Sequence, residues 1–253
     1  MSIRVFTADL HIHTVLSPCA QRDMLPHCII LEALEKGLDC IAVTDHNACD
    51  NVAVTLSLGE RFGLWVIPGI EIETKEEVHL LAYFPTLEHL LAFNRLVEEH
   101  LFTFPLDTGV WGEEWVIGEE GNIVARKTSL LAVPVALSLE DAVEEVERHQ
   151  GVAVLAHVDR KAYSVFSQLG FLPPALPVRA LEISPALSLE EAQERFALSG
   201  YPLLSFSDAH GLSEIGQRVT LFRMASPRWE ELLLALSGEG GRGIALSGSD
   251  ERL

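Results

Sequence analysis

The chain has 253 residues, 48% of them hydrophobic and 22% charged, which is enough apolar mass for a full core and far from the profile of a disordered chain. Its 37 Asp and Glu against 18 Lys and Arg give a formal net charge of -19, which argues against long duplex nucleic acid as a partner, because such binding rests on Lys and Arg displacing counterions. No apolar run reaches the roughly 18 residues of a membrane span, and no basic-then-apolar leader opens the chain, so no membrane partner and a cytoplasmic location are expected.

Taken in chain order, Ile3 to Ala8 reads as the first buried strand and runs into Asp9-Leu10-His11-Ile12-His13-Thr14, where alternation sends His11 and His13 to one side of an extended backbone. Pro26 to Lys36 sets Ile29, Ile30, Ala33 and Leu34 at helical spacing and stops at Gly37. The next strand, Cys40 to Thr44, leads to Asp45-His46-Asn47, and Leu64 to Ile67 is followed by Glu71 and Glu73. Val78 to Tyr83 carries His79 within it. From 102 to 134 tryptophans and glycines replace the rhythm, and Glu120-Gly121-Asn122 between two short apolar runs predicts an inserted hairpin, serving either as a lid or as a packed wall.

Ser138 caps a helix that runs to about His149, with Glu140 and Asp141 in its first turn. Val152 to Ala156 closes on His157, Asp159 and Arg160, and Ala180 to Ile183 is followed by a helix from Ser188 to Leu198. The seventh strand, Leu203 to Phe206, ends at Ser207-Asp208-Ala209-His210, and the glycine-rich tail Gly238 to Gly248 reads as a turn before a frayed end. Strands alternating with helices at this density predict mainly parallel pairing, as a β/α barrel or a doubly wound sheet, in one domain over 1–253.

In such folds the carboxyl ends of the strands share one face. His11, His13, His46, His79, His157 and His210 all fall at or near those ends, with carboxylates beside them. Imidazoles and carboxylates without a CxxC pair suit Zn, Mn or Fe(II). His27, His89, His100 and His149 fall in helical or connecting segments and read as surface or capping residues. Between Glu71 and Glu73 the residues alone leave the choice of ligand open, with Glu73 expected to turn away or toward the rim.

In their order, Asp9-Leu10-His11-Ile12-His13-Thr14, Thr44-Asp45-His46-Asn47, Ala156-His157 with Arg160, and Ser207-Asp208-Ala209-His210 resemble the four motifs of the PHP (polymerase and histidinol phosphatase) family of metal-dependent phosphoesterases. The resemblance spans residues 7 to about 220 and implies a distorted seven-stranded β/α barrel holding two or three divalent ions, Mn, Zn or Fe. It implies His11, His13, Glu71 and Asp208 around one ion with Glu71 bridging, His79 and His157 completing a second, and His46 and His210 at a third. Where the family usually has a further Asp or His, this chain has Ser17-Pro18-Cys19-Ala20, with Cys19 or Asp23 as the candidate substitute.

The implied activity is hydrolysis of a small phosphorylated metabolite, nucleotide or short oligonucleotide by a metal-activated water. Alternatives are an exonuclease acting on nucleic acid ends and a catalytically idle metal-binding regulatory domain. Arg160 would clamp the phosphate or pair with a nearby acid, and Asp45 and Asp9 would orient imidazoles or serve as turn acids.

Overall fold

A computed structural model of the chain describes residues 2–174, 176–196 and 199–246. Eleven strands are present among them: β1 (Arg4–Ile12), β2 (Cys40–Val43), β3 (Trp65–Glu73), β4 (His79–Tyr83), β5 (Trp115–Ile117), β6 (Ile123–Arg126), β7 (Val152–Leu155), β8 (Ala180–Ile183), β9 (Leu203–Ser205), β10 (Thr220–Met224) and β11 (Gly243–Leu246). The helices are α1 (Pro26–Glu35), α2 (Val52–Phe62), α3 (Leu87–His100), α4 (Thr108–Trp111), α5 (Leu139–Arg148), α6 (Val165–Leu169), α7 (Leu189–Phe196) and α8 (Trp229–Ser237). Their ends follow local chemistry: Thr86, Ser138 and Ser164 cap α3, α5 and α6 through their hydroxyls, and left-handed glycines Gly63 and Gly238 terminate α2 and α8.

Nine strands form one sheet in the order β11-β10-β1-β2-β3-β4-β7-β8-β9. Beyond β9 the chain returns to β1, where Ile12 and Ala209 form a parallel bridge and His13 N–H donates to the Ala209 carbonyl at 2.9 Å, so the wall nearly closes into a barrel. The seven expected strands are all present, but the expectation of seven in the wall is corrected to nine. Thr220–Met224 alternates and pairs antiparallel with the first half of β1. The glycine-led Gly243–Leu246 becomes a strand because β10 offers it a free edge, where a turn was expected. Gly248, and the expected helix end at Leu198, lie outside the described residues. Pairing is also mixed, since β4 runs antiparallel to both β3 and β7.

Alternation along the strands separates two apolar layers. Ile41, Val43, Ile70, Ile72, Leu80, Ala82, Leu155 and Leu181 pack outward with Ile29, Ile30, Val52, Phe93 and Val146 of the helices. Phe6, Ala8, Leu10, Ala42, Ile67, Leu81, Val154 and Phe206 fill the interior, with Leu232 and Ala235 of α8 against that plug. Burying each large side chain of this kind is worth about 1.5–3 kcal/mol.

The parity of β1 changes once. Asp9 pairs with Ile41 and Ile12 with Val43, so β1 spends three steps where β2 spends two. This bulge turns Ile12 out to the helix layer although Leu10 faces in, and so aims His11 and His13 into the barrel. Gly69 serves β3 differently: a Cβ there would lie 2.9 Å from the Thr44 methyl and 3.2 Å from the Tyr83 ring, so only glycine lets β3 pass this close to its neighbours.

Candidate metal centre

Above the apolar plug, the ends of β1, β2, β3, β4, β7 and β9 bring His11, His13, His46, Glu71, His79, His157, Asp208 and His210 together. All but His210 are buried. Glu71 is the hub. Imidazole nitrogens of His11, His13, His46, His79 and His157 lie 3.0 to 3.4 Å from its two oxygens, yet neither oxygen accepts a hydrogen bond. Glu73 does not turn away as expected. It sits two residues further along an unbroken strand, opposite His79, and is buried; burial pushes its carboxyl up to about 7.

Hydrogen bonds on the far side of the rings fix which nitrogens face inward. His11 Nδ1 donates to Glu182 at 2.9 Å. The Ser17 hydroxyl donates to Asp45 at 2.7 Å, so it accepts from His13 Nδ1 at 3.0 Å. His210 Nδ1 donates to the Asp208 carbonyl at 2.8 Å. In their neutral form the Nε2 atoms of His11 and His13 therefore carry lone pairs, and they lie 3.2 Å from each other and each 3.2 Å from Asp208 Oδ1. Lone pairs and carboxylate oxygens converging at this distance repel unless a cation lies among them.

The donor set thus fits divalent metal on its own geometry. Three groups each have ligand atoms within 4.8 Å of one another: His11, His13 and Asp208; His46, Glu71 and His79; and His13, His46 and His210. The electrostatics agree. Burial opposes ionisation of Glu71, but the rings of His79, His11 and His46 hold its carboxyl well below the usual range. With no cation among them, Glu182, Asp208 and Glu71 outweigh the burial of His11 and hold it up, so a proton stands on its ring where a divalent ion would otherwise balance the acids, while burial holds His79 down to about 4.

Three of the residues at these strand ends adopt left-handed backbone although none is glycine: Asn47 at φ 50°, His157 at φ 28° and Asp208 at φ 51°. Each such residue costs about 1–3 kcal/mol, a strain the surrounding hydrogen bonds must hold in place. Asn47 shows how: its amide donates to the Leu131 and Val133 carbonyls of the 102–134 segment, and its backbone N–H to Glu71.

The remaining candidates divide. Arg160 is partly exposed at the rim and forms an ion pair with Asp208. Asp45 does not face the cluster; it is buried and accepts from Thr14 N–H, the Thr14 hydroxyl and Ser17, which in turn bonds His13. Asp9 is also buried behind the cluster, accepting from Ser207 and Gly216 N–H. Asp23 and Cys19 are both exposed, and neither belongs to a group of converging ligand atoms among the described residues. The sequence reading missed Glu182, which accepts from His11 Nδ1 and from His157 N–H. A lone acid inside the apolar run Ala180–Ile183 was its only signal.

No family model matches the chain. It is 23% identical over 272 aligned positions to an uncharacterised protein of Bacillus subtilis, covering 94% of this chain and 63% of that protein. To the phosphoribosyl 1,2-cyclic phosphate 1,2-diphosphodiesterase of Eggerthella lenta it is 31% identical over 78 residues, 29% of each chain. Among solved structures, the lesion-specific endonuclease Q of Pyrococcus furiosus matches 95% of this chain and 58% of its own with a TM-score of 0.71 at 22% identity. A protein of Bifidobacterium adolescentis assigned as a metal-dependent phosphoesterase matches 81% of this chain and 87% of its own, with a TM-score of 0.56 at 21% identity. The chain spans about three fifths of the length of the Bacillus subtilis protein and of endonuclease Q.

These likenesses bear out the resemblance to PHP-type metal-dependent phosphoesterases read from the motifs. They also correct one expectation. Endonuclease Q has been crystallised with a 27-mer duplex carrying an abasic lesion at its active site, and that complex matches with a TM-score of 0.74 at 22% identity. A protein of this fold accepts long duplex, so excluding it on net charge does not stand. The physical reason is that -19 is a sum over the whole chain: it includes the buried acids Asp9, Asp45, Glu71, Glu73, Glu114, Glu182 and Asp208 and says nothing of how the remaining charges are distributed around the mouth.

Proposed function

We propose that the chain is a metal-dependent hydrolase of phosphate esters, with phosphodiesters, including those of nucleic acids, ahead of small phosphomonoesters. The observation that carries this reading is the convergence of lone-pair nitrogens of His11 and His13 on Asp208 and Glu71. His11, His13, Glu71 and Asp208 would hold one divalent ion of the Mn, Zn or Fe(II) class, with Glu71 shared; His79 and His157 would hold a second, and His46 and His210 a third. When bound, such ions lower the acidity barrier of water and neutralise phosphoryl oxygens.

The chain's own residues supply the rest. Glu182 and Ser17 fix the tautomers of His11 and His13. Arg160 stands at the rim with part of its fork on Asp208 and the remainder free to take a phosphate oxygen. Beside it Tyr163, exposed and at φ 59°, stacks on His79 with ring centroids 4.6 Å apart, offering a flat apolar face at the mouth. Duplex belongs among the substrates because endonuclease Q, with the same fold, was crystallised on one.

The test is hydrolysis by protein reloaded with Mn(II), Zn(II) or Fe(II), against bis-p-nitrophenyl phosphate, p-nitrophenyl phosphate, nucleoside bisphosphates, short single strands and an abasic-site duplex. Chelator-sensitive turnover is expected, fastest on a diester. Stoichiometric metal without turnover on any of these would replace this reading with a binding or regulatory domain.

A further inference from the structure

Asn51 stands at the N-cap of α2, where an asparagine side chain ordinarily accepts a hydrogen bond from the first turn of its own helix, yet it makes no capping bond. Its amide is committed elsewhere. The nitrogen donates to the Thr14 hydroxyl at 2.8 Å and to the Trp115 carbonyl at 3.0 Å, and the oxygen accepts from Ile117 N–H at 2.8 Å. Both donors of the amide are thereby used, one toward the turn after β1 and one on the inserted hairpin β5–β6.

From Thr14 the bonds run without a gap to the metal centre. The Thr14 hydroxyl donates to Asp45 Oδ2 at 2.7 Å, and the Ser17 hydroxyl donates to Asp45 Oδ1 at 2.7 Å. Ser17 in turn accepts from His13 Nδ1 at 3.0 Å and from the His46 backbone N–H at 3.2 Å. His13, Thr14, Ser17, Asp45 and Asn51 are each exposed by 1% or less, so water supplies no substitute partner along this path. A hydroxyl has a single proton to give, so the Thr14 hydroxyl faces Asp45 because Asn51 already fills its acceptor side. The hairpin is held a second time beside this path, by Trp115 N–H on the Val15 carbonyl at 2.9 Å.

We propose that Asn51 is a positioning residue for the metal centre, which joins the seating of the inserted hairpin and the inward-facing Nε2 of His13 into one hydrogen-bonded unit. The affinity of the His11, His13 and Asp208 group for metal then depends on where the hairpin sits. Without the Asn51 donor, the Thr14 hydroxyl is free to turn from Asp45, Asp45 loses one of its donors, and Ser17 is held less firmly beneath His13. This inference rests on the metal centre proposed above, but it is readable without turnover.

The test is the Zn(II) affinity of the whole chain, read by competition with a chromogenic chelator. Asn51→Leu is expected to weaken it about 3- to 30-fold, and Thr14→Val, which removes the linking hydroxyl, by a similar factor. Thr14→Ser keeps that hydroxyl and should stay within about twofold of the parent. In a Ser17→Ala background, where His13 is already cut from the path, adding Asn51→Leu should change affinity by less than about twofold, because residues acting through one path are not additive. Equal losses from Asn51→Leu with and without Ser17, or equal losses in Thr14→Val and Thr14→Ser, would overturn the coupling. Unchanged affinity in Thr14→Val would also overturn it, and that comparison needs no Asn51 variant to fold. A parent chain that binds no zinc would overturn the metal centre together with this inference.

Discussion

Glu182 holds two of the clustered residues at once, one oxygen on His11 Nδ1 and the other on the His157 backbone. Replacing it by Gln keeps the shape but presents an N–H₂ where a second acceptor is needed, so one of the two bonds is lost. Glu182→Gln is therefore expected to weaken metal binding about 10- to 100-fold with the fold intact, measured by competition with a chromogenic chelator. Unchanged affinity would show that His11 needs no such brace. At this scale the sequence was most legible for residues that alternate at strand ends, as His11, His13, His46, Asp208 and His210 do. It was silent on Glu182 and Ser17, whose meaning depends on partners 171 and 4 residues away, and it could not assign Asp45, which turns from the cluster to brace Thr14 and Ser17.

The 102–134 segment carries the clearest prediction for an element. It is tied to the barrel by Asn51, whose amide donates to the Trp115 carbonyl and accepts from Ile117 N–H, by Asn47, and by the Lys127–Asp50 ion pair. These ties make it a fixed wall beside His46 rather than a free lid. Within it Glu114 is buried, with one oxygen accepting from Leu131 N–H at 3.0 Å and the other unpartnered. Burial pushes its carboxyl up to about 7 from an ordinary 4.5. A raised carboxyl binds its proton more tightly when folded, so its contribution is complete below about pH 4.5 and is lost as pH rises through about 7. Glu114→Gln cannot ionise. It should match the parent near pH 4.5 and exceed it by up to about 3 kcal/mol above pH 8, measured by denaturant unfolding of metal-free protein. A stability difference that does not change with pH would contradict the burial argument. Helices with a cap or a glycine stop, such as α1 and α5, were legible in the sequence. Strand β11 was not, because it exists only through the edge that β10 lends it.

Over the whole molecule, strand alternation builds a barrel with an apolar plug below and a nitrogen- and oxygen-lined mouth above, and the single bulge in β1 carries two histidines across that boundary. The order of the motifs made the barrel legible. Its nine-stranded wall was not, since closure depends on Ile12 meeting Ala209, 197 positions further along the chain. Net charge alone does not exclude a duplex partner, since it says nothing of where on the surface the charges lie and a protein of the same fold was crystallised on a duplex. The central claim, that these side chains form a metal centre, is tested most directly by anomalous diffraction from crystals of the whole chain grown with Zn(II) or Mn(II). Peaks are expected about 2.0–2.2 Å from nitrogens of His11 and His13 with Asp208, and from Glu71 with His79 and His157. Fully formed crystals with no anomalous peak among these residues, or with metal bound only elsewhere, would contradict it.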